Sequence, residues 1–87
     1  MKALVLYRPD SEYSRRVEGF IRDFAKRYPD KELEILNIDS REGVIKAGLY
    51  DILTHPAILA IQDNGAVNKI WQGPEMPLFD DLAAHLH

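Results

Sequence analysis

There is no cysteine among the 87 residues. That one absence excludes disulfides, thiolate metal sites and a thiol nucleophile, whatever compartment the protein occupies. Concentrated positive charge is missing too, since 11 Lys and Arg stand against 14 Asp and Glu for a formal net charge of -3. The one dense basic pair, Arg15-Arg16, sits beside Glu18 at the start of a helical pattern and reads as a solvated helix face. A nucleic acid or an anionic membrane surface calls for a stronger basic stripe, so neither is expected as a partner. Nor is there a long apolar run. Met1 to Tyr7 is interrupted at once by Arg8-Pro9-Asp10, far short of a secretory apolar region or the roughly 20 residues of a membrane span. A cytoplasmic protein is the expectation.

Glycine and proline are sparse, five of each, and mark element boundaries instead of forming a low-complexity tract. Against these absences, 46% of the residues are hydrophobic. A chain of this size buries only about 60% of its unfolded surface, so residues 1–87 are expected to form one domain; a second would lack a core. A monomer is expected.

Two hydrophobic periods run through the chain. Lys2 to Tyr7 is short, apolar and rich in Leu and Val, closed by Arg8-Pro9-Asp10, and reads as a buried strand entering a turn. From Tyr13 the period changes: Val17, Phe20, Ile21, Phe24 and Tyr28 recur at three- and four-residue steps with charged residues between them, an amphipathic helix stopped by Pro29-Asp30. Ser11 or Asp10 is placed to cap it, because a short side-chain oxygen accepts a backbone N–H that the first turn leaves unpaired. Leu33 to Ile38 contains the next strand. Asp39-Ser40-Arg41-Glu42 starts a short helix running through Leu49, with Val44, Ile45, Gly48 and Leu49 as its apolar side.

Tyr50 to Pro56 is a connection and Ala57 to Ile61 a third strand. Asp63-Asn64-Gly65 signals a hairpin, since Asn and Gly tolerate the positive φ of tight turns, and Val67 to Trp71 is the returning strand. Leu78, Leu82 and Leu86 mark a closing helix, with Asp80 and Asp81 near its first turn where the helix dipole favours anions. The order β-α-β-α-β-β-α predicts an α/β domain, a four-stranded mixed sheet with helices on both faces.

These residues resemble the thioredoxin and glutaredoxin superfamily over nearly the whole chain. The segment Leu6-Tyr7-Arg8-Pro9-Asp10-Ser11-Glu12-Tyr13-Ser14-Arg15-Arg16-Val17 is similar to the glutaredoxin stretch in which a strand ends in a Cys-Pro-Tyr-Cys motif opening the first helix. Both cysteine positions are serine here. Further on, Ile38-Asp39, Leu49-Tyr50-Asp51-Ile52, Thr54-His55-Pro56-Ala57-Ile58-Leu59, Asn64-Gly65 and Gly73 are similar to a thioredoxin series. That series runs from an acidic strand end through a Tyr-Gly-Ile segment, a cis-proline and a hairpin glycine to a glycine after the last strand. The resemblance implies a thioredoxin-like fold. It also implies that Ser11 occupies the nucleophile position and Ser14 the resolving one, where hydroxyls have no accessible thiolate and no disulfide chemistry.

Ser11, Glu12, Tyr13 and Ser14 are placed where a strand delivers the chain to a helix amino terminus, whose N–H groups still suit an anion or carboxylate. The plainer alternative, that Ser11 merely caps the helix and Ser14 is solvated, is favoured. Pro56 matches the family's cis-proline, which the resemblance implies lies against the two serines; main-chain groups just before it, at Thr54 and His55, suit pairing with an extended peptide or with glutathione. His55 faces the same surface and is close enough in principle to activate Ser11 or Ser14, but no third triad member is evident, so a plain surface or packing histidine is favoured. His85 and His87 lack a third ligand for zinc, and no metal is expected. Trp71 is assigned to the core, whereas Tyr13 is expected as an exposed aromatic of a binding surface.

The leading expectation is a redox-inactive module that binds a protein segment or small ligand with Ser11, Glu12, Tyr13, Ser14, Thr54, His55 and Pro56, with no catalytic residue and no obligatory cofactor. An alternative is a glutathione-using, transferase-like enzyme that activates the bound thiol with a hydroxyl. Against it, the chain lacks the helical second domain such enzymes use. A third reading makes both serines engineered replacements in an ordinary thiol–disulfide oxidoreductase; Glu12, where the family often has proline, argues for a natural divergent sequence.

Overall fold

Five consecutive buried residues, Ala3 to Tyr7, make the first strand a continuous apolar run because both faces of the sheet are covered there. The computed structural model describes residues 1–86, in the order β1 (Lys2–Tyr7), α1 (Ser14–Arg27), β2 (Glu32–Asn37), α2 (Arg41–Leu49), β3 (Ala57–Ile61), β4 (Val67–Gln72) and α3 (Phe79–Ala84). The strands are arranged β2-β1-β3-β4. β1 runs parallel to β2 and antiparallel to β3, which is antiparallel to β4. The expected α/β order and four-stranded mixed sheet are both present.

Alternate side chains divide the core between the two faces. Ala3, Val5, Tyr7, Ile58 and Ala60 pack with Val17 and Phe24 of α1 and with Leu82 and Leu86, while Trp71 packs half-buried at the margin of this cluster. Leu4, Leu6, Ala57, Leu59 and Ile61 pack on the other face with Ile52, and with the half-buried Ala47 and Tyr50. Phe24 is the largest fully buried side chain, ringed by Phe20, Tyr28 and Phe79 at centroid distances of 6.1, 5.2 and 6.0 Å.

Four expectations about the elements need correction. The expected apolar side of α2 points outward: Val44, Ile45 and Leu49 are exposed, and Gly43, Ala47 and Tyr50 turn toward the sheet instead. The short link from β2 dictates this. Ser40 Oγ donates to the Asn37 carbonyl at 2.6 Å and accepts the Gly43 N–H at 3.0 Å, which makes Ser40 the N-cap. A Cβ on Gly43 would lie 2.0 Å from the Asn37 carbonyl oxygen, so the helix sits against the strand end on its glycine and its rotation is settled by that contact.

Leu78 is exposed and precedes α3, and Leu86 packs on the core just beyond its end; within the helix Phe79, Leu82 and Ala83 make the packed face, with Asp80 and Asp81 in the first turn as expected. In the hairpin only Gly65 takes a positive φ, of 89°. Asn64 contributes through its side chain, whose Oδ1 accepts the Ala66 N–H at 2.9 Å. The fourth correction, the start of α1, belongs to the site.

Candidate functional site

The carboxyl ends of β1 and β2, the first turn of α1 and the entry to β3 meet at one end of the sheet. β1 ends at Tyr7 and the chain turns through Arg8 to Tyr13, with Asp10 in the left-handed region at φ 64°. Ser11 Oγ donates back to the Arg8 carbonyl at 2.6 Å, and Ser14 Oγ donates to the Ser11 carbonyl at 2.9 Å. The N-cap position is Tyr13, with no side-chain cap bond. Neither Ser11 nor Asp10 therefore caps α1, because both serine hydroxyls serve the turn that precedes it. Ser14 is not solvated either, being only 7% exposed.

Tyr13, expected as an exposed aromatic, is instead half-buried and joins the two segments. Its half-buried hydroxyl accepts the Arg8 N–H at 3.2 Å and pairs with His55 Nδ1, and the two rings stand 5.7 Å apart between centroids. The His55 ring nitrogen that faces α1 is thus engaged by a tyrosine, while both serine protons are committed to carbonyls. No Ser–His pair forms. The hydroxyl-activation chemistry of a nucleophilic serine lacks its base.

Glu12 and Thr54 are exposed, His55 half-buried and Pro56 buried. The His55–Pro56 peptide bond is cis. Gln72, at the end of β4, accepts the Leu53 and Thr54 N–H groups on Oε1 at 3.3 and 3.2 Å, and the Pro56 carbonyl accepts the Gly73 N–H at 2.9 Å. The backbone approaching Pro56 is therefore held from the β4 side. Among the described residues the His55 N–H and C=O have no hydrogen-bond partner.

Arg8 and Asp39 complete the surface, and sequence reasoning assigned neither to it. Arg8 Nε and Nη2 meet the two Asp39 carboxylate oxygens at 2.8 and 3.1 Å, a bidentate pair across the ends of β1 and β2. The Arg8 bond holds the Asp39 carboxyl below the ordinary carboxylate range, with the charges of Arg8 and His55 adding to it. Asp39 was visible in the sequence only as an acidic strand end, and Arg8 only as a turn residue before Pro9. Gln72 carried no sequence signal at all.

Among the described residues no group of three or more His, Asp or Glu is arranged to hold a metal. His85 Nδ1 meets the Asp81 carbonyl at 2.8 Å and its ring lies edge-on to Trp71; His87 lies outside the described residues. A depression of about 480 Å³, lined by Met1, Gln62, Asp63, Asn64 and Asn68, is at the opposite end of the sheet. No described helix is long and apolar enough to cross a membrane.

No protein-family model and no curated protein matches this chain. Among solved structures it is similar to thioredoxin O2 from Arabidopsis thaliana in its oxidized state, with a TM-score of 0.70 and 14% identity over 95% of this chain and 69% of that one. It is also similar to thioredoxin 1 from the thermophilic eubacterium Thermosipho africanus TCF52B, with a TM-score of 0.69 and 16% identity over 95% of this chain and 88% of that one. The fold is thioredoxin-like, and the chain carries it without a cysteine.

Proposed function

We propose that this chain is a cytoplasmic, redox-inactive thioredoxin-like module that binds a protein segment in extended conformation across Ser11 to Ser14 and Thr54 to Pro56. The supporting observation is the unpaired main chain of His55, one donor and one acceptor beside a buried proline. A free backbone pair at the entry to a strand suits an added extended chain, which takes its affinity from main-chain bonds and its selectivity from neighbouring side chains. Those neighbours are the exposed Glu12 and Thr54 and the half-buried Tyr13.

The rigid frame favours this role. The Tyr13–His55 tie and the Gln72 clamp hold both walls before any ligand arrives, so little ordering cost is added on binding. The two serines act as turn-formers, with their protons turned into the protein.

The test uses peptides selected from a random library on the immobilised protein. Methylating one backbone nitrogen at a time along a selected peptide is expected to weaken binding at least tenfold at the residue opposite His55 and little elsewhere. A library that yields no binder, or a binder indifferent to every methylation, contradicts the proposal.

A further inference from the structure

α2 turns its most apolar face to solvent. Val44 and Ile45 are each 58% exposed, Leu49 64%, and Leu53, just beyond the helix, 92%. Arg41, Ile45 and Leu49 repeat at four-residue steps and make one ridge; Val44 and Gly48 make a lower one beside it, where Gly48 opens onto free space. Scattered exposed apolar residues are ordinary, but a contiguous ridge on one helix face marks an interaction surface.

The charges at the two ends of α2 indicate what covers this face. Arg41 opens α2, at the positive end of the helix dipole, and Asp51 stands two residues past Leu49, beyond the negative end. Each charge is at the end where the dipole disfavours it. Both residues are exposed, and neither is in an ion pair among the described residues. Glu42 and Lys46 suit their ends of the helix and lie off the ridge. A second α2 laid antiparallel on the first reverses the mismatch, bringing Arg41 to the partner's carboxyl end and Asp51, and Asp51 to the partner's amino end and Arg41. The face is thus complementary to itself under a two-fold axis, as an isologous contact requires.

We infer that the exposed face of α2 binds a second copy of this chain, antiparallel, with Ile45 and Leu49 packing over the gap at Gly48. A nine-residue helix offers less than the roughly 800 Å² per partner of a standard interface, so the dimer is weak and reversible. It adds a monomer–dimer equilibrium to the monomer expected from the sequence. The surface is separate from the peptide-binding proposal and does not depend on it.

Sedimentation velocity on the full chain, from about 5 μM to about 1 mM, is the experiment, a range that brackets weak association. The mean mass is expected to rise above the 10.0 kDa of one chain with concentration. Ile45→Lys should hold it at one chain; Ile45 is exposed, and an unchanged circular dichroism spectrum verifies the fold. Arg41→Gln and Asp51→Asn should each weaken the dimer about threefold, and the double variant by less than the product of the two, because they share one ion pair. A single-chain mass throughout, including one that leaves the face to another protein, overturns the inference. So does a dimer that survives Ile45→Lys, or losses that add in the double variant.

Discussion

The hydroxyls of Ser11 and Ser14 have a structural role. Each hydroxyl donates into a backbone carbonyl and builds the turn that leads into α1. The side chain that reaches across to the Pro56 segment is Tyr13. Tyr13→Phe removes the oxygen shared by the Arg8 N–H and His55 Nδ1 while keeping the ring. It is expected to cost about 1 kcal/mol in urea unfolding, as for one partly exposed hydrogen-bonded hydroxyl. A stability change near zero shows that the tie contributes nothing.

Charged residues set the pH limits. Asp39 is held low by Arg8, and Asp80 by Tyr28 and Arg27. The unfolded carboxyls take up protons first as pH falls, so the stability they supply is complete above about pH 4 and is lost through the lower folded values. Burial, followed by the Glu18 bond, pushes the Tyr7 phenol up. Its contribution is present below about pH 10 and is lost as pH rises through the folded value. Urea midpoints should therefore be flat near neutrality and fall in both windows. Because Asp39 and Asp80 are exposed, added salt should shrink the acid limb, whereas Tyr7→Phe should flatten part of the alkaline one. An acid limb indifferent to salt contradicts the assignment to surface pairs.

Among the elements, legibility followed how much of the burial pattern lay in the element itself. β1 was readable because both its faces are covered, and α1 because Val17, Phe20, Ile21, Phe24 and Tyr28 repeat at helical spacing and do pack on the core. α2 lies where the sequence places it but presents the opposite face to the core. Its side chains alone favour Val44, Ile45 and Leu49 as the inner face, but the three-residue link from β2 and the contact of Gly43 with Asn37 impose another rotation. Gly43→Ala puts a methyl into a backbone carbonyl that has no flexible end to yield. It should destabilise by about 3 kcal/mol, at the upper end for overpacking, in chemical denaturation. A loss below about 0.5 kcal/mol, as at an ordinary surface site, shows that α2 is free to rotate.

On the scale of the whole molecule, the mixed sheet and the fold class followed from seven elements and a few turn residues, because short connections leave few alternatives for such a chain, while the strand order β2-β1-β3-β4 came only with the structure. The candidate site was only half legible. Residues 11 to 14 and 54 to 56 carried local signals, and the Tyr13–His55 contact joins the two segments. Arg8, Asp39 and Gln72 act through partners 31 residues away in the chain, or 18 and 19 away, and such pairings leave no local mark.

The backbone surface at Ser11 to Ser14 and Thr54 to Pro56 is proposed to grip a protein segment. Heteronuclear NMR titration of the labelled chain with glutathione and with peptide pools tests that most directly. Shifts concentrated at residues 11 to 14 and 54 to 56, saturating with peptide concentration, are the predicted result. A titration that leaves those residues unmoved, or moves only residues elsewhere, contradicts it.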